Sequence, residues 1–254
     1  MRYKVLACKA LFREISQIAA QIDTVLDVTY LRQELHDTPD ILRKTLQNEI
    51  DLIDNEADMH TNRLRFGKDF DAILLGYGLC SNGIAGLSSK KYPLVVPRAD
   101  DCIALFLGSY QKYKEFFDMH PGTYWYNASW IENAYTPSEA NQNALIKEYT
   151  EKYGYDNAMY ILETESTVKN YNMAAYIEWK ELNFPSYEQY TKQAAKYYGW
   201  QYEKVKGDSG WLKDFLTGNH DQRFVVAMPG KQLTQDYTGK IITTCHYTRS
   251  KDDR

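Results

Sequence analysis

Along this chain, short continuous apolar runs alternate with longer stretches in which apolar residues return every third or fourth position, the rhythm of strand followed by helix. Residues 3–8, YKVLAC, form the first run and end in Cys8, and residues 11–22, LFREISQIAAQI, then repeat apolar positions at helical steps. This predicts strand, turn and helix. Residues 24–31 are β-branched and predict a second strand; Asp37 or Thr38 as cap, with Pro39 in the first turn, then opens a helix running to Asp54. The apolar stretch 70–78 predicts a third strand that breaks into a glycine-rich turn from Gly76 to Gly83. A fourth strand over 92–97 leads into Arg98, Ala99, Asp100, Asp101 and Cys102, and an amphipathic helix is expected over 103–117.

The second half reads as a strand over 122–130, a polar connection over 131–142 and a helix over 143–153. A strand over 158–163, helices over 171–182 and 187–198, and a strand over 201–207 follow. A helix over 210–218 and strands over 224–230 and 241–245 close the chain. Strands alternating with helices imply βαβ units, so the fold class expected is α/β, Rossmann-like, with mainly parallel sheets and flanking helices. The polar connection is the best boundary signal. It divides the chain into two similar lobes, 1–135 and 136–254, unless both form one continuous domain.

Composition changes this picture little, since 44% apolar and 25% charged residues among 254 are ordinary for a globular domain. No apolar run approaches the roughly 18 residues of a membrane helix, and Met1-Arg2 leads directly into the first strand with no room for a signal peptide, so a cytoplasmic location is expected. The net charge of −4, with Lys and Arg scattered, leaves no footprint for nucleic acid. Most of the 22 tyrosines fall at helical spacing, which half-buried amphipathic rings explain without a ligand.

Four cysteines without an export signal point to free thiols or metal ligands instead of disulfides. Three of them mark separate strand ends: Cys8 after the first, Cys80 in the turn after the third, Cys102 in the loop after the fourth. In parallel sheets ligands bind beyond the carboxyl ends of strands, so these sulfurs converge if the strands are neighbours. Three thiolates suit zinc with an open fourth position, or an iron–sulfur cluster with one iron left for substrate. His36, just past the second strand, is the candidate to join them. Asp100 and Asp101 are candidates for oxygen ligand or general base. Arg98 could fork onto a carboxylate or phosphate, and Gly78, Asn82 and Gly83 could bring backbone N–H groups to a small-molecule substrate. Tyr124 could wall a pocket for a methylated ammonium group. Each has a plainer reading: a cysteine as a small buried hydrophobe, His36 as a helix-start residue, Arg98 paired with Asp101, Tyr124 in the core. Cys245 and His246 are adjacent on a strand and so point apart.

Several of these pieces together resemble the family of proteins of unknown function numbered 1638. They are Ala7-Cys8, Leu35-His36 with Pro39, Gly76 to Cys80 with Asn82-Gly83 and Gly86-Leu87, Pro97-Arg98 with Asp101-Cys102, Leu107 to Ser109, Gly122 to Tyr124, and Gly199-Trp200. Asp100 stands where the family pattern usually has histidine, which removes one nitrogen ligand from the expected set. The resemblance implies a link to methylamine or other one-carbon metabolism, with corrinoid-dependent methyltransferases as partners. The expected function is therefore a thiolate-ligated metalloprotein, as an enzyme a metal-dependent transferase, that holds zinc or an iron–sulfur cluster and acts on a small anionic or methylated substrate. Two alternatives stand beside it: a metal-free binding or accessory protein of a methyl-transfer system, and an enzyme with Cys80 as nucleophile.

Overall fold

The computed structural model describes residues 1–59, 69–165 and 167–246. The elements run β1 (Arg2–Cys8), α1 (Phe12–Ala19), β2 (Val25–Leu31), α2 (Pro39–Asp54), β3 (Ala72–Gly76), β4 (Leu94–Pro97), α3 (Ile103–Leu107) and α4 (Tyr110–Met119). Next come β5 (Thr123–Tyr126), α5 (Ala128–Asn133), α6 (Glu139–Tyr153), α7 (Tyr155–Glu165), β6 (Met173–Glu178), α8 (Pro185–Tyr198) and β7 (Gln201–Lys206). The last are α9 (Gly210–Thr217), β8 (Phe224–Ala227), β9 (Lys231–Asp236) and β10 (Ile241–His246).

The fold is α/β and Rossmann-like, with two compact units. The first takes Met1–Tyr110 together with Ser209–Arg254, and the second takes Gln111–Asp208. This division differs from the expected 135/136 boundary because β8 returns to pair with β4, antiparallel, from Leu94 opposite Ala227 to Pro97 opposite Phe224.

In the first unit the sheet order is β2-β1-β3-β4-β8, with β1 to β4 parallel. Strands β3 and β4 are buried along their whole length, as strands covered on both faces must be, and so read as unbroken apolar runs. Helix α2 buries Leu42, Leu46, Ile50 and Ile53, one stripe at four- and three-residue steps. Buried charge interrupts this core. Lys4 on β1 is fully buried and lies 2.9 Å from both Asp27 and Asp58.

In the second unit the parallel sheet runs β5-β6-β7. Here three expectations change. The strand expected over 122–130 stops at Tyr126, because the Asn127 side chain accepts from the Trp130 N–H at 2.7 Å and caps α5. The stretch 158–163 lies in helix α7, in which only Ala158 is buried. The stretch 171–182 holds the central strand β6, where Ala174 and Ala175 are fully buried and α8 brings Ala194 and Ala195 into the same core. A fourth change falls in the first unit, where the helix expected over 103–117 breaks at Gly108, which adopts φ +73° between α3 and α4.

Candidate functional site

Strands β1, β3 and β4 are consecutive neighbours in the sheet, so their carboxyl ends lie side by side. The crossovers from β1 and from β2 leave in opposite directions, which makes the β1/β3 boundary the switch point where an open α/β sheet has its crevice. Cys8 ends β1, the turn after β3 carries Tyr77 and Cys80, and the loop after β4 carries Cys102.

Two backbone hydrogen bonds lock the last two loops together. The Leu79 N–H donates to the Ala99 carbonyl at 2.7 Å and the Cys80 N–H to the Asp100 carbonyl at 2.8 Å. This contact requires glycine at 78, where a Cβ would fall 2.6 Å from the Asp101 nitrogen and 2.8 Å from the Ala99 oxygen. The turn then passes through three successive left-handed residues, Cys80, Ser81 and Asn82, at φ 47°, 54° and 66°. None of them is glycine, and L-residues adopt this conformation at a penalty of roughly 1–2 kcal/mol each. Surrounding bonds hold it: the Gly83 N–H reaches the Cys80 carbonyl at 2.9 Å, and Arg43 Nη2 donates to the Asn82 carbonyl at 2.8 Å. Gly83 also packs on α2, since a Cβ there would meet Leu42 at 2.6 Å.

The three sulfurs share one electrostatic neighbourhood. Burial pushes the Cys8 thiol up to about 11, against the pull of the Ala10 N–H. Burial drives Cys80 far above the ordinary thiol range, with charge on Cys8 and Asp101 adding to it and a hydrogen bond from the Gly78 N–H opposing it. Cys102 is raised likewise by burial and then by Cys8, Asp101 and Cys80, while its own N–H favours the thiolate. Each sulfur thus has a backbone N–H directed to it; charge on Cys8 opposes ionisation of Cys80 and Cys102, and charge on Cys80 opposes that of Cys102. Cys8 is buried, whereas Cys80 and Cys102 are partly exposed.

A fourth group joins them that the sequence reading passed over. Tyr77 is 3% exposed and its hydroxyl has no hydrogen-bond partner among the described residues. Gly76 pairs with Ala7, so Tyr77 and Cys8 follow at adjacent strand ends, and burial, then charge on Cys8, Cys80 and Cys102, holds the phenol well above the usual tyrosine range. The only hint in the sequence was its place between Gly76 and Gly78.

The other candidates are placed as follows. Asp101 Oδ1 accepts from the Ile103 N–H at 2.8 Å, and its charge opposes ionisation of Cys80 and Cys102. Asp100 is exposed and engages Cys80 through its backbone carbonyl. The Arg98 guanidinium donates to the carbonyls of Gln222, Lys240 and Ile242, tying the end of β4 to the closing segment in place of an Asp101 pair. His36 is partly exposed, with Nε2 3.3 Å from Asp37 Oδ1. Tyr124 belongs to the second unit and packs against Tyr126, Tyr171 and Trp200 at centroid distances of 5.0, 5.1 and 6.4 Å. On β10, Cys245 accepts from Gln232 and His246 lies 2.9 Å from Lys231 Nζ. Among the described residues, no group of three or more His, Cys, Asp or Glu side chains is arranged to hold a metal ion as it stands. No described helix is long and apolar enough to cross a membrane.

The family described as "Protein of unknown function (DUF1638)" matches residues 30–216, a span that includes Tyr77, Cys80 and Cys102 and begins after Cys8. No curated protein and no solved structure matches the chain.

Proposed function

Given that the chain belongs to the DUF1638 family, we propose that Cys8, Cys80 and Cys102 hold a soft metal centre, zinc or an iron–sulfur cluster, at which a small anionic or methylated substrate is handled. One observation carries this reading: the three cysteines follow the ends of three adjacent parallel strands, β1, β3 and β4, and the loops that carry Cys80 and Cys102 are hydrogen-bonded to each other. Buried thiols that repel one another's charge stay protonated on their own. A bound cation reverses that balance, because thiolates neutralise it and the N–H groups support their remaining charge.

The donor set fits a thiophilic metal, and the unpartnered Tyr77 hydroxyl leaves a polar atom for whatever completes the site. When bound, such a metal supplies an acidic water or substrate thiol, or a free iron coordination position. The chain's own residues do the rest. Cys8 would be the buried ligand and the partly exposed Cys80 and Cys102 the ligands nearer solvent, with the exposed Asp100, two residues before Cys102, as the candidate general base.

The same burial argues against Cys80 as a free nucleophile, because a thiol kept protonated at neutral pH attacks poorly. Methylated amines or thiols as substrates, and methyltransferases as partners, rest on the resemblance alone.

Protein purified without oxygen tests the proposal by zinc, iron and sulfide analysis with absorption spectra. Stoichiometric metal is expected in the wild type and a loss of it in the combined Cys8→Ser, Cys80→Ser, Cys102→Ser variant. Metal retained in full by that variant refutes the assignment.

A further inference from the structure

We infer that the Tyr77 hydroxyl is the hydrogen-bond donor to the non-protein ligand of the thiol site, and that this ligand is a small anion accepting through oxygen or nitrogen. The inference rests on the metal reading above and adds a class of ligand to it.

A buried hydroxyl without a partner is a burden on folding, and phenylalanine would fill the same space without it. Tyr77 carries that burden in a fixed position. Its N–H donates to the Leu75 carbonyl at 2.9 Å, so the ring leaves the chain directly at the end of β3. On either side, Gly76 and Gly78 are packed so closely that a Cβ would sit 2.7 Å from the Ala7 Cβ and 2.6 Å from the Asp101 nitrogen. The hydroxyl itself is buried. In the same turn the Asn82 Oδ1 is a second buried oxygen without a partner among the described residues. Two orphaned polar atoms flank Cys80, within a segment already held in left-handed strain. Both facts have one explanation if a ligand completes the hydrogen bonding there.

A neutral phenol can donate or accept, but the charge-assisted bond that its O–H makes to an anion is the stronger of its options, and at the open position of a thiolate-held cation an anion is the complementary occupant. Tyr77 is thus a positioning residue for the anion, acting beside the metal ligands.

The test uses the full chain, metal-free and then loaded with cobalt(II), with azide as the probe anion. In the metal-free state Tyr77→Phe should unfold at the same or a higher temperature than the wild type, because an unsatisfied hydroxyl is lost. After loading, wild type and variant should show the same thiolate-to-cobalt absorption, while azide binds the variant about tenfold or more weakly. A lower melting temperature for the metal-free variant overturns the inference, since the hydroxyl would then have a protein partner. So does equal azide affinity in the two proteins. A changed cobalt spectrum without azide also overturns it, in favour of Tyr77 as a metal ligand. Absence of thiolate-to-cobalt absorption in the wild type refutes the metal reading itself and this inference with it.

Discussion

A lysine with no exposed surface sets the terms at the scale of single residues. Lys4 neutralises Asp27 and Asp58, and Asp58 is itself only 1% exposed. Replacing Lys4 by Met removes a buried cation shared by two carboxylates, and should destabilise the protein by about 3–5 kcal/mol in denaturant titrations. Gly78→Ala acts on the site instead: its Cβ forces the β3 and β4 loops apart. An overpacking penalty of about 1–3 kcal/mol is expected, together with reduced metal uptake in the loaded protein. The cysteine positions were legible in the sequence, because each follows an apolar run where a strand must end. Tyr77 was not legible, since its significance depends on a missing hydrogen bond, which only packed coordinates reveal. The partners of Arg98 were not legible for a related reason: the carbonyls of Gln222, Lys240 and Ile242 lie more than a hundred residues away, beyond any local pattern.

Between elements, the instructive errors are 158–163 and 171–182, where helix and strand were exchanged. The run Ala158-Met159-Tyr160-Ile161-Leu162 is apolar enough for a strand, yet it forms a helix with a single buried residue. The alanine-rich stretch at 173–178 favours helix by local propensity, but its small side chains let α8 pack closely on a central strand, and tertiary burial wins. Helices α6 and α7 bury almost nothing. Their amides should exchange with deuterium well before those of α8, which buries Thr191, Ala194 and Ala195. Helix α8 is fastened to β7 by Glu188, which pairs with Lys192 and Lys204 at 2.6 Å and accepts from Tyr202. Hydrogen bonds from Lys192, then Lys204, hold its carboxyl down at about 2, against an ordinary 4.5. The folded value lies below the unfolded one, so this stabilisation is complete above pH 4.5 and is lost as pH falls towards 2. Thermal melts across that window should show a shallower acid dependence in Glu188→Gln than in the wild type.

For the molecule as a whole, the rhythm of strands and helices was enough to read an α/β class with parallel sheets, because that rhythm is local. The partition into units was not readable, because it depends on which remote segment closes the first sheet. Helix α9 buries Trp211, Leu212, Phe215 and Leu216, and β8 supplies the last strand. A chain ending at Asp208 should accordingly show no cooperative melting of the first unit by circular dichroism, even though β1 to β4 are all present.

That arrangement also has a temporal side. Translation delivers β4 long before β8, a delay of several seconds at roughly 5–20 residues per second. Throughout it, the nascent sheet carries an outer strand whose amides and carbonyls lack their mates, a template for wrong pairing. The polypeptide is thus most vulnerable to aggregation on the ribosome, and chaperones that shield exposed strand borders should matter most for its yield in that interval.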